Sequence, residues 1–323
     1  MGITICSGVG FLAAVGCAGL YDRKGSFLKP FVYGTVFYGF CYILWSMLLF
    51  VLNQFTLFRA VLGTAVVLVA LLTAAALLLR RKHGTLLRLL HWDESIRTVW
   101  IPLVIVLVAL PLILMKNELF GMGQDQGVYQ VVAINLMNGL TDRQQDFAEY
   151  YNLSSADQTE FADAVRNYLM GYDIVPEEYP DTVYDRNISP VSGIYHGIPT
   201  YAAMLALFGK LFGISHMIHL ETVIWVCMIF LVSFVCRQMQ WKRCTEFLAC
   251  AVCAASPIVI WVAKSSLTEL FLAVILLAFV LLITAPNRSH GLSILPVAVF
   301  ACYHVSIYTM IPLFVVLYGA LYL

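Results

Sequence analysis

Asp125 and Tyr129 stand four residues apart, so on a helix they share one face. They lie in the run Gly121-Met-Gly-Gln-Asp-Gln-Gly-Val-Tyr129, directly after an apolar stretch long enough to cross a membrane. A carboxylate at that position stays wet enough to be ionised and is close to a lipid head group. It can take the proton from an attacking hydroxyl, or it can simply cap its helix and interact with the dipole. Gln126 follows it, and Lys264, Glu269, His304 and His196 are the other residues of chemical interest. Lys264 ends one apolar run, Glu269 opens the next, and His304 interrupts a third. Cationic groups at such helix ends can neutralise a departing phosphate. Each also has a plainer role: Lys264 as a snorkelling lysine, His304 as a neutral imidazole bonded to a carbonyl, and Glu269 as an interfacial acid. His216 and His219, with Glu221, form an H-x-x-H at a helix start, but no third ligand follows at metal-like spacing.

These residues need a frame, and composition supplies it. The chain of 323 residues is 61% hydrophobic and 12% charged, against about 45–50% and about 25% in soluble domains. The expected fold is therefore all-α and membrane-integral. Apolar runs of spanning character cover roughly residues 4–20, 31–52, 57–79, 98–115, 217–236, 245–263, 267–284, 291–303 and 305–323, about nine transmembrane helices in all. The expected organisation is an N-terminal group of helices over 1–97 and a core over 98–323. The core holds a long extracytoplasmic loop, 116–216, followed by the helices of 217–323. No basic stripe sits on a soluble surface, so nucleic acid is not an expected partner.

Charge fixes the expected orientation. Thirteen of the 19 acidic residues lie between Glu118 and Asp185. With the amino terminus outside, the cytoplasmic loops hold 12 of the 19 Lys and Arg, among them Arg23, Lys24, Arg80, Arg81, Arg237, Lys242 and Arg243. The expected location is the plasma membrane, with the long loop and its chemistry on the extracytoplasmic side. Residues 199–213 are apolar and helical in pattern, but short and interrupted by Lys210. A crossing there would invert the later loops, so the segment reads as an interfacial or re-entrant helix on the outer surface. Within the loop, one helix is expected from about Gln126 to Met137, stopping at Asn138-Gly139. Its Val132, Ala133 and Leu136 would rest on the membrane. A second is expected from about Ser155 to Leu169, and 172–190 reads as an irregular loop. All nine cysteines fall in or beside apolar runs, which argues against a disulfide framework. Cys250 and Cys253 read as packing residues.

Several pieces in order carry a family resemblance. They are Gly123-Gln-Asp-Gln-Gly-Val-Tyr129 through Asn138-Gly139, Tyr195-His-Gly-Ile-Pro-Thr-Tyr201 through Leu211-Phe-Gly213, Ala255-Ser-Pro257, and Ser265-Ser-Leu-Thr-Glu269. From about residue 98 onward the chain resembles the C-type glycosyltransferases, polytopic enzymes such as the protein mannosyltransferase and aminoarabinose transferase group. It departs from their pattern at Gln126, where many relatives carry a second acid, and at His196-Gly-Ile-Pro199, a loose form of a His-Pro-Pro element. The resemblance implies inverting sugar transfer from a polyprenyl-phosphate donor to an acceptor hydroxyl of a glycan, lipid or protein. On that reading Asp125 is the base, Lys264, His304 and His196 meet the donor phosphate, and Tyr129, Gln126 and Glu269 support them. No organic cofactor is expected, and metal use stays open, a divalent cation being the candidate. The alternative readings are a multi-pass transporter, or a polymerase or ligase of lipid-linked glycans. Leu323 lies inside an apolar segment, which leaves two readings open, a fragment or an incomplete family member.

Overall fold

The structure, a computed structural model, describes residues 1–21, 28–83, 99–116, 125–139, 154–156, 199–285, 290–304, 312, 314–316, 318 and 319. Among them there is no strand, and every regular element is helical. In chain order the α-helices are α1 (Gly2–Tyr21), α2 (Leu28–Val51), α3 (Leu57–His83), α4 (Trp100–Leu114), α5 (Asp125–Met137) and α6 (Thr200–Phe212). A 3-10 turn, Ile214–His219, then leads into α7 (Leu220–Gln238), α8 (Arg243–Ala255), α9 (Pro257–Ala263), α10 (Glu269–Thr284) and α11 (Ile294–Tyr303).

Among the described residues, four helical segments are long and apolar enough to cross a membrane: Gly2–Leu20, Leu28–Val51, Leu57–Arg80 and Ile214–Gln238. A fifth is the pair α8 and α9, bent by 59° between them. Sequence explains the bend. A residue before proline is pushed out of the α region, and proline is well placed to start a helix; here Ser256 is extended and Pro257 opens α9. Thus the expected span over 245–263 is not one straight rod. The stretches expected to span at 98–115, 267–284 and 291–303 form the shorter apolar helices α4, α10 and α11. Most of 305–323 lies outside the described residues.

α1, α2 and α3 form a side unit with its own small core of Ala13, Ala14, Cys41 and Leu68. Gly34 permits the close approach of α2 to α1, since a Cβ there would stand 2.6 Å from the Val15 Cα. α2 then bridges this unit to the main core. Its Tyr42 hydroxyl donates to the Ala203 carbonyl of α6 at 3.0 Å. The central helix is α7, which packs against α8, α10 and α4.

The two ends of the bundle differ in kind. At one end, the Lys29 ammonium lies 5.7 Å from the Tyr33 ring and 5.8 Å from the Phe234 ring. Gln238 also donates to the Leu281 carbonyl there, at 2.7 Å. The start of α2 therefore meets the ends of α7 and α10. At about 1.5 Å of rise per residue, Glu221 at the other end of α7 is about 24 Å from Arg237.

α6 corrects part of the expectation for 199–213. It is not a surface helix with one face outward. Every residue from Thr200 to Leu207 is buried, and only its last turn, with Lys210 and Phe212, emerges. This apolar segment is covered by α5, α2, α7 and α11 and sits among the helices. α5 is corrected in the same way. It stops as expected, with Gly139 at φ +81°. Yet Val132, Ala133 and Leu136 are buried against α6 rather than laid on a membrane. Of the expected helix 155–169, only residues 155 and 156 are described.

Candidate functional site

The polar residues of the main core converge at the Glu221 end of α7. Glu221 itself is fully buried, and its Oε1 accepts from the Tyr201 hydroxyl of α6 at 2.6 Å. Tyr201 packs edge-on against Tyr129 of α5 at 5.0 Å and against Tyr303 of α11 at 6.0 Å. Tyr303 feels the carboxyls of both Glu221 and Glu269, and those two acids also interact with each other. Three helices thus hold a triad of aromatic rings around one buried carboxyl.

Lys116, just past α4, reaches the same place. Its ammonium donates to the Ala263 carbonyl at the end of α9 at 2.6 Å, within the electrostatic reach of Glu221 and Lys264. A helix C-terminus attracts a cation, which accounts for that contact. Burial pushes the Lys116 ammonium down to about 8; Glu221 opposes this shift and Lys264 adds to it. Between about 8 and the ordinary lysine value of 10.5, the unfolded chain holds a proton that the folded chain has released. The Lys116 contribution to stability should therefore rise with pH across that window. Melting of the wild type and of Lys116→Met, followed from pH 7.5 to 10.5, should differ by an amount that moves in the wild type's favour as pH rises, the other titrating groups being common to both; parallel profiles would refute the assignment.

The segment between α9 and α10 completes the cluster. Gln130, one turn beyond Gln126 on α5, donates to the Ser266 hydroxyl at 2.8 Å. Ser265, Ser266 and Thr268 are buried, Lys264 is half-buried, and Glu269 is exposed at the start of α10. The break after α9 exists because Lys264 ends that helix and Ser265-Ser266-Leu267 do not continue it. Thr200 at the start of α6 donates to the Cys302 carbonyl at 2.8 Å, which fixes the last turn of α11 beside it.

The residues singled out by sequence are therefore placed as follows. Tyr129, Lys264 and Glu269 belong to this one cluster, and Gln126 is buried on the α5 helix beside it. His304 is half-buried one residue beyond Tyr303. Asp125 is the first residue of α5, but its side chain lies outside the described residues, and so does the whole of His196. Lys116 and Tyr303 carry no motif, and Tyr201, although it closes the Tyr195–Tyr201 piece, was not singled out as a site residue from sequence. Glu221 had a usable signal, an ionisable group within an apolar run, but it was weighed only beside His216 and His219 as a metal ligand and set aside there. The His216 and His219 rings lie 5.8 Å apart. Among the described residues, no three His, Cys, Asp or Glu side chains are grouped to hold a metal ion. All nine cysteines are free, and Cys250 is buried with its Sγ 3.8 Å from the Ile229 carbonyl.

Chemically, this arrangement offers two ammonium groups, two carboxyls and several hydroxyls in an aromatic setting. It can hold a group with an anionic end and a polar, uncharged end. In comparisons with known proteins, no family model, no curated protein and no solved structure matches this chain.

Proposed function

We propose that the protein is a multi-pass membrane glycosyltransferase, moving a sugar from a polyprenyl-phosphate donor to an acceptor hydroxyl by inverting displacement. The observation that carries the reading is the meeting of Lys116 and Lys264 with Glu221 and Glu269 beneath the helix that Asp125 opens. In this mechanism the acceptor oxygen attacks the anomeric carbon while Asp125 takes its proton. The bond from that carbon to the phosphate oxygen breaks, and the electron pair leaves with the phosphate. Lys116 and Lys264 balance the charge of the leaving group, and His304 and His196 are further donors to it.

The proposed topology keeps nine spans, with α4, α10 and α11 as short crossings and the last span over 305–323. The amino terminus and the site face the extracytoplasmic side. The opposite placement of the Lys29–Phe234 end and the Glu221 end of the bundle supports this orientation. The test is transfer by the purified protein in lipid nanodiscs, offered a panel of polyprenyl-phosphate monosaccharides and assayed for free polyprenyl phosphate. Release of the lipid phosphate is the expected result. Its absence across the panel, with solute uptake into vesicles instead, would replace this reading with a transporter. The bent helix pair α8 and α9 is the observation that favours that second reading.

A further inference from the structure

The end of the bundle opposite Glu221 has chemistry of its own, set where α7 turns into α8. α7 closes with Gln240 at φ +57°, and the Trp241 N–H donates to the Cys236 carbonyl at 2.9 Å. A left-handed residue followed by that bond makes a Schellman turn, which fixes where the next side chains emerge. Trp241 and Lys242 come out exposed, and Arg243 opens α8. The charges gathered there do not cancel. Glu246 accepts from Arg237 at 2.9 Å through Oε1 and from Arg243 at 2.8 Å through Oε2, so one carboxylate faces two guanidinium groups. Arg237 is largely covered, but the Arg243 side chain is 54% exposed and gives Glu246 only its Nη1. Lys242 beside it forms no ion pair among the described residues. Three cations thus meet one acid.

Next to the cations runs an apolar stripe. Cys244, Leu248 and Val252 recur at every fourth residue on one face of α8, with Phe247 at its edge, and all four are exposed. From Arg243 to Val252 the helix rises about 14 Å, close to one leaflet's share of a hydrocarbon core about 30 Å thick. An exposed tryptophan such as Trp241 suits the level where that core meets the head groups.

We propose that the α7–α8 turn binds one anionic phospholipid of the surrounding bilayer, with its phosphate between Lys242 and Arg243 and an acyl chain along the α8 stripe. This site is independent of the transferase reading and lies at the other end of α7 from Glu221. The free edge of the Arg243 guanidinium can meet two phosphate oxygens at once, which a lysine cannot. Glu246 gives that edge a fixed direction. A fixed fork separates a binding site from a basic rim that merely attracts the membrane surface. The excess positive charge selects a head group with net negative charge over a zwitterionic one, whose own cation would face the same side chains. The stripe selects a whole lipid over a soluble phosphate.

The test is native mass spectrometry of the purified protein in detergent. It is titrated with phosphatidylglycerol, with phosphatidylcholine of the same acyl chains, and with glycerol phosphate as the head group alone. One phosphatidylglycerol should be retained in preference to phosphatidylcholine, and glycerol phosphate should not bind over the same range. Each cation beside an anionic lipid is worth about fivefold in affinity, so Lys242→Gln should weaken phosphatidylglycerol binding about fivefold and Lys242→Gln with Arg243→Gln about 30-fold. Lys242→Gln stands in if the double variant fails to fold, because Lys242 is exposed and holds no acid. Lys210→Gln, at the exposed last turn of α6, should change nothing. Equal retention of the two lipids, glycerol phosphate binding as tightly as the whole lipid, unchanged affinity in Lys242→Gln, or an equal loss in Lys210→Gln would overturn the proposal.

Discussion

Asp125→Asn should lower sugar transfer by about 10²–10⁴-fold, the usual worth of a positioned general base. The exchange is nearly isosteric, and asparagine is as good a helix cap as aspartate. α5 should therefore keep its start and its packing on α6 through Tyr129, Val132, Ala133 and Leu136. The measurement is the single-turnover rate of lipid-phosphate release, beside a melting curve. Affinity for the donor should hold, because on the proposed mechanism the lysines, not Asp125, meet the phosphate. Loss of rate with loss of folding would reduce Asp125 to a cap, and a rate within a few-fold of the wild type would reject it as the base.

A loss of about 3–5 kcal/mol in stability is expected for Glu246→Ala. Glu246 is 1% exposed in the first turn of α8. Its Oε1 accepts from Ser233 at 2.6 Å and from Arg237 at 2.9 Å, and its Oε2 accepts from Arg243 at 2.8 Å. Removing it leaves Arg237, whose Nη2 already has no partner, without a counter-charge in a largely covered site. The penalty comes from that stranded cation; the intact pair adds little on balance. Glu246→Gln should cost less, since one amide oxygen still accepts. Equilibrium unfolding in detergent would show the difference, and a shift below about 1 kcal/mol for Glu246→Ala would contradict it.

Legibility in the sequence tracked how local the cause was. The α5 stop at Asn138-Gly139 was readable because a residue at positive φ favours glycine there. The bend after Ser256 was also available in principle, since proline restricts its predecessor whatever surrounds it. Composition and run length likewise announced an all-helical chain with membrane-crossing segments. The environment of α6 was not legible. An apolar 13-residue helix looks the same from sequence whether it lies on a surface or inside a bundle. The site was half legible. Tyr129, Lys264 and Glu269 drew notice through motif and position, but Lys116 and Tyr303 have no signature, and Tyr201 stood in a motif piece without a role assigned to it. They matter only because α4, α6 and α11 deliver them to the same carboxyl.

By itself, then, the sequence determined that the chain is helical and that several of its segments are apolar enough for a bilayer. Those properties follow from side-chain chemistry read a turn or two at a time. The tertiary structure alone decided that residues from five helices and the α9–α10 break share one patch, because helix packing joins groups as far as 147 residues apart in the chain. Glu221 is the clearest case. Along the chain it is the neighbour of two histidines, and in the fold it is the anchor between Tyr201, Lys116 and Tyr303.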